Sequence, residues 1–368
     1  MSQYCRKPIT KLCVGDYVAR VTKQLGDVHI TQAGQIKSEK FLKELKKKGV
    51  LEVEVDLTQS QQNEKPATPS NTKKALFSAD DVMHWYELTV TLLSHTQQRA
   101  TQNLPLDLYK FEQISQKLFE FCQSDLHQLA AFIRSHHTTT NWLCHSLRVA
   151  VSLAQFCVAK PINKTLSLSI IEAGFLAHLG IEVCQNEEGN KHLKRLFQLL
   201  KLSGEPKKEV IALLYRQAEC LDGSGQPNNV TAQQLSLYDR LLAIALHFDC
   251  IAYGYEQVSL KWYSGEAAYH KLLSQSHRFD AQLLQHFINI IGLYPAGSLV
   301  KLHTGRLALV KTPLASDPLK PSVRVFYHGT FHHHVKPFNL DLMESDDFID
   351  CAVLPSEFDI TIDQVFNY

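Results

Sequence analysis

Several things are scarce or missing in these 368 residues, and each removes a class of function. Neither charge sign dominates, since 38 basic side chains face 37 acidic ones. A near-neutral chain has no global field to favour DNA, RNA or an anionic membrane. The nine cysteines (Cys5, Cys13, Cys122, Cys144, Cys157, Cys184, Cys220, Cys250 and Cys351) include no C-x-x-C pair, which argues against a zinc ribbon. Their odd number and their setting in apolar runs such as VSLAQFCVA predict buried free thiols in a reducing compartment. No uncharged apolar stretch reaches spanning length, and MSQYCRKPITKL lacks the apolar segment of a signal peptide. The expectation is a soluble, cytoplasmic chain with neither nucleic-acid nor membrane partners. No internal repeat is visible.

What is present is apolar and mostly helical. Hydrophobic residues make up 45% of the chain, enough for a core without covalent staples. Residues 1–57 read as a small α+β module: a bent strand in LCVGDYVARV, a Ser38-capped amphipathic helix in SEKFLKELKKKGV, and a strictly alternating strand in LEVEVDL. Lys46 to Lys48 belong to a solvated helix face. Residues 58–75 are polar and Pro-containing and read as a flexible linker. Residues 76–293 carry apolar positions at three- and four-residue spacing, opening at Ser78 with acids behind it. Several runs are apolar on more than one face, as inside a bundle. Residues 294–368 turn to alternating strands, PAGSLVKLHTGRLALVKT and PSVRVFYHGT, and read as a small β cap with an acidic tail near ESDDFID. The fold class is mainly α, a helical bundle between a small α+β module and a small β cap.

Four segments in order carry a family resemblance: PITKLCVGDYV through VEVDL, NWLCHSLRVA, ECLDGSGQPNN from Glu219, and GLYPAGSLVKLHTGRLALV from Gly292. Together they resemble HD-GYP proteins, the HD-superfamily class of cyclic-di-GMP phosphodiesterases, with the small domain that often precedes them. The resemblance implies an HD-like bundle around two or three metal ions, usually iron, that activate a hydroxide against a phosphodiester. Such chemistry needs several histidine and carboxylate ligands converging from different helices.

Carried over residue by residue, the resemblance implies a depleted site. His145 stands at the first helix's histidine, one turn after Asn141. The His-Asp pair falls at Ala177 and His178, and the assisting lysine at Ile181. His192 fits the next histidine. The two histidines before the signature loop are Gln217 and Ala218, while Glu219, Asp222, Gly223, Ser224, Gly225 and Pro227 remain and the tyrosine is Gln226. The late ligand Asp falls at Leu246, with Arg240 and Asp249 kept, and the substrate-gripping Arg segment is absent around Tyr255 to Val258. His145, His178 and His192 can hold at most one Fe or Zn ion, and without a bridging carboxylate a two-metal site is not expected.

Each residue also has a plainer reading. The three histidines can be hydrogen-bonded core side chains. Gly223 and Gly225 can supply positive φ, and Asp222 can cap its own turn. The family loop is also implicated in contacts with GGDEF diguanylate cyclases. His332 and His334 read as the same side of a strand edge, and Cys144, Cys220 and Cys250 as small buried hydrophobes. No catalytic residue is assigned. The leading expectation is a catalytically inactive HD-GYP-like regulator in bacterial cyclic-di-GMP signalling, with a protein partner such as a GGDEF protein. A residual metal-dependent phosphodiesterase and a non-hydrolysing nucleotide sensor are the alternatives. A homodimer through the helices of residues 78–135 is a further possibility.

Overall fold

The computed structural model describes residues 4–12, 16–25, 34–36, 39–56, 77–136, 141–183, 191–204, 206–253, 264–314, 316–353, 357–358 and 360. It divides into two units, Met1–Lys74 and Ala75–Tyr368, each with its own core.

The first unit is a four-stranded sheet and one helix. Strands β1 (Tyr4–Pro8), β2 (Tyr17–Gln24), β3 (Gly34–Gln35) and β4 (Val50–Asp56) lie in the order β1-β4-β2-β3, all antiparallel, with α1 (Glu39–Lys47) in the connection to β4. In β4 the alternation read from LEVEVDL puts Val53 and Val55 in the core and leaves Glu52 and Glu54 to pair across the sheet with Thr22 and Arg20. Strand β2 begins at Tyr17, later than the bent strand expected from Leu12. The Ser38 cap and the linker lie outside the described residues.

The second unit opens at α2 (Ala79–Thr101), where Ser78 and Asp81 form a reciprocal capping box. There follow α3 (Leu108–Ser124), α4 (Gln128–His136), α5 (Trp142–Ala159), α6 (Lys164–Leu176), α7 (Leu179–Val183), α8 (Lys191–Leu202), α9 (Lys208–Tyr215), α10 (Leu237–Tyr253), α11 (Gly265–Ser274) and α12 (Ala281–Ile291). Helix α5 is buried on nearly every side, with α3, α6, α10 and α12 around it. Among the described residues it is the one helix long and apolar enough to cross a membrane, and its apolar faces are spent on the protein core.

The last strands are β5 (Leu299–Leu302), β6 (Arg306–Thr312), β7 (Ser322–His328), β8 (His333–Asp341) and β9 (Ile349–Ala352), forming an antiparallel sheet in the order β8-β7-β6-β5-β9. Two expectations change here. Part of the acidic segment is β9, which pairs with β5. A four-residue strand, Ile-Asp-Cys-Ala, carries too little alternation to stand out. His332 and His334 do not share a strand face: His332 sits in the β7–β8 turn at φ +49°, and His334 lies opposite Tyr327. One face of this sheet is continuous with the bundle core, through Val300, Leu302, Ala308, Val310, Val323 and Val325.

Candidate metal centre

Helix α5 carries a polar stripe through an apolar body. His145, Arg148, Ser152 and Gln155 recur at three- and four-residue spacing, so they share one face. All four are buried, and each makes at least one side-chain hydrogen bond to a neighbouring element. The His145 Nδ1–H donates to Asp249 Oδ2 of α10 at 2.8 Å. Arg148 grips the same carboxylate with two bonds, Nε to Oδ1 at 2.8 Å and Nη2 to Oδ2 at 2.9 Å. Its guanidinium lies 4.0 Å from the centre of the Tyr253 ring. Burial alone raises the Asp249 carboxyl, but Arg148 and His145 together hold it below the usual carboxylate range, so it is ionised. An ionised Asp249 can only accept, so the ring nitrogen facing it, His145 Nδ1, carries a proton.

Further along the stripe, Arg134 of α4 donates to Ser152 Oγ (2.9 Å) and Gln155 Oε1 (3.1 Å). The Gln155 amide then donates to Leu126 O at 2.7 Å and to His127 Nδ1 at 3.1 Å.

His178 reaches His145 by an unusual backbone. Helix α6 stops at Leu176, and His178 sits in the left-handed region at φ +61° before α7 resumes. That costs a non-glycine residue energy unless its surroundings enforce it. Two bonds brace the junction: Trp142 Nε1–H donates to Ala177 O (3.0 Å), and the His178 amide donates to Gln217 Oε1 (3.2 Å). The result is a His178 ring parallel to His145, 5.0 Å between centroids and 6° between planes. Burial, then His145, His247 and His192, hold His178 well below its ordinary value, so it is neutral and competent to coordinate.

The donor atoms of His145, His178 and Cys250 all lie within 4.8 Å of one another. Cys250 follows Asp249 on α10. His192, expected in the set, is not in this group; it stands in the first turn of α8 and helps to lower His178 through its field. Cys250 was read from the sequence as a packing residue. The signal that could have promoted it was its place beside a carboxylate that contacts His145, and that contact spans 104 positions. Asn141 caps α5 through the Cys144 amide (2.9 Å).

Two carboxylates hold the signature-like loop in shape. Glu219 is buried and accepts from the Asn228 and Val230 amides at 2.7 and 3.1 Å. Asp222 caps the Ser224 amide at 2.9 Å. Gly223 has the expected positive φ, +77°. Gly225 does not; it is needed for another reason, because a Cβ there would lie 2.3 Å from Cys220 N and Glu219 Cα. Arg240 ties Ala232 O and Leu235 O to Asp280, which caps α12. The outer edge of the loop, Asp222, Ser224, Gln226, Asn228 and Asn229, is exposed.

A two-metal hydrolytic centre does not fit these residues. The donor group contains no carboxylate, Asp249 is committed to Arg148 and His145, Glu219 is committed to the loop, and Leu246 and Ala177 are apolar.

Residues 182–283 match the family model described as HD domain. The match lies within the helical bundle and takes in the DGSGQP loop. The chain is 30% identical over 118 residues to the cyclic di-GMP phosphodiesterase PA4108 of Pseudomonas aeruginosa. That alignment covers 32% of this chain and 28% of the relative's length.

Proposed function

We propose that this protein is a non-hydrolysing regulator in cyclic-di-GMP signalling, built on an HD-GYP-type scaffold and acting through a protein partner. The observation that carries this reading is the fate of the carboxylates. Attack on a phosphodiester needs a metal-activated hydroxide, and a metal pair needs bridging oxygen ligands. Here Asp249 locks Arg148, and Glu219 locks the loop. The loop thus keeps its shape without feeding a metal pair, and its exposed edge is available to a protein such as a GGDEF cyclase. That a relative is a cyclic di-GMP phosphodiesterase supports the signalling context.

The test incubates the full chain with cyclic di-GMP after anaerobic loading with Fe2+ or Mn2+, and separates nucleotides chromatographically. No linear dinucleotide or mononucleotide above a no-protein control is expected; metal-dependent turnover overturns the reading. Calorimetric titration with a GGDEF domain examines the partner, with heat expected for the native loop and lost for a Gln226→Trp, Asn228→Arg variant. Equal heats for the two proteins would remove the loop as the contact.

A further inference from the structure

We propose that His145, His178 and Cys250 form a mononuclear site for a borderline or soft transition-metal ion such as Zn2+, with a thiolate ligand in place of the oxygen ligands of a hydrolytic metal pair. The inference rests on the functional reading above only for the absence of hydrolysis.

Three elements contribute one donor each: α5, the α6–α7 junction and α10. Zinc bonds of about 2.0–2.3 Å at tetrahedral angles put neighbouring donors roughly 3.3–3.8 Å apart. A group already gathered within 4.8 Å closes on an ion by small side-chain rotations. Two features go beyond proximity. First, His145 has the outer partner typical of a metal-bound imidazole: Nδ1–H on a carboxylate, leaving Nε2 to coordinate. Arg148 fixes that carboxylate in turn. Secondly, His178 has a costly left-handed backbone at a junction braced by Trp142 on the Ala177 carbonyl and Gln217 on the His178 amide.

The donor chemistry selects the ion. Two neutral nitrogens and one sulfur, with no oxygen, disfavour Mg2+, Mn2+ and Ca2+ and favour Zn2+, Co2+ or Cu+. Binding converts the Cys250 S–H to a thiolate and releases one proton to solvent per ion, while the two imidazoles coordinate as neutral ligands. His178 is partly exposed, so this corner of the site is not fully sealed from solvent.

The experiment titrates the full-length, chelator-treated protein with Co2+ under anaerobic conditions and follows the near-ultraviolet thiolate-to-cobalt charge-transfer band together with the visible ligand-field bands. One equivalent should bring up both, with Zn2+ displacing them. Cys250→Ser should abolish the charge-transfer band while circular dichroism stays native. His178→Ala should lose tetrahedral intensity, and His192→Ala should leave the spectrum unchanged. Absence of stoichiometric binding overturns the site. So does a charge-transfer band that survives in Cys250→Ser, which would assign the thiolate to another cysteine. A wild-type spectrum with ligand-field bands but no charge transfer would refute the thiolate. Turnover of cyclic di-GMP by the metal-loaded protein would overturn the functional proposal and leave this site standing.

Discussion

Asp249 lies one helical turn beyond Leu246, where the resemblance places a ligand Asp, and it takes up a different task. Its carboxylate satisfies a buried arginine and a buried histidine at once. Removing one member of a buried ion pair strands the other in a low-dielectric interior, at about 3–5 kcal/mol. Asp249→Asn should therefore destabilise the second unit by about that much, read as a lower urea midpoint with unchanged slope. The sequence showed Asp249 as a kept residue, but not its partner, because the pairing joins helices far apart in the chain. His127 is a second single-residue case. Burial, then the Arg134 guanidinium, push it down to about 4, with Asp125 opposing. Its Nδ1 accepts from Gln155, so a proton there would face an N–H and a nearby cation. The unfolded chain takes up that proton near the ordinary histidine value of about 6.5, before the folded one does. This contribution to stability is thus complete above about pH 6.5 and is lost as pH falls toward about 4. His178 adds a loss of the same sign. The readout is therefore the difference between wild type and His127→Asn, whose amide oxygen can still accept from Gln155. The urea midpoint of wild type should fall more steeply across that window.

At the scale of an element, the loop from Gln217 to Thr231 shows how far local sequence reaches. Asp222 and Gly223 act within a few residues, so their turn roles were readable from composition. Gly225 was misread as a positive-φ position, because its constraint is the backbone of Glu219 and Cys220 passing 2.3 Å from any added Cβ. Gly225→Ala should cost about 1–3 kcal/mol or more, since backbone and not a flexible side chain must yield. Gly223→Ala should cost about 1–2 kcal/mol from its φ alone. Thermal denaturation of the two variants checks the ranking. The α6–α7 junction has the same lesson in reverse. EAGFLAHLGIE is apolar and helical in composition, and nothing in it announces a left-handed residue. The break is imposed by Trp142 and Gln217 from other elements.

For the whole molecule, the mainly helical class was visible because three- and four-residue periodicity is a long, repeated signal. The brief strands β1 and β9 were not, because they owe their geometry to neighbours across the sheet. The join between bundle and sheet was also hidden. Gly297 packs so closely that a Cβ would lie 2.3 Å from Ala131 O, and Arg134 reaches Ala296 O at 3.5 Å. Deleting residues 294–368 would remove Val300, Leu302, Ala308, Val310, Val323 and Val325 from the shared core. That truncated protein should show no cooperative melt by circular dichroism. A fragment of residues 75–368 should melt cooperatively, because its core is complete within it.

The shared core also bears on synthesis. Arg134 and Ala296 are 162 positions apart, so a ribosome has made most of the second unit before that contact can form. Helices α2 to α12 emerge with an apolar flank that the later strands cover. Until those strands leave the exit tunnel, the nascent bundle keeps that apolar flank uncovered.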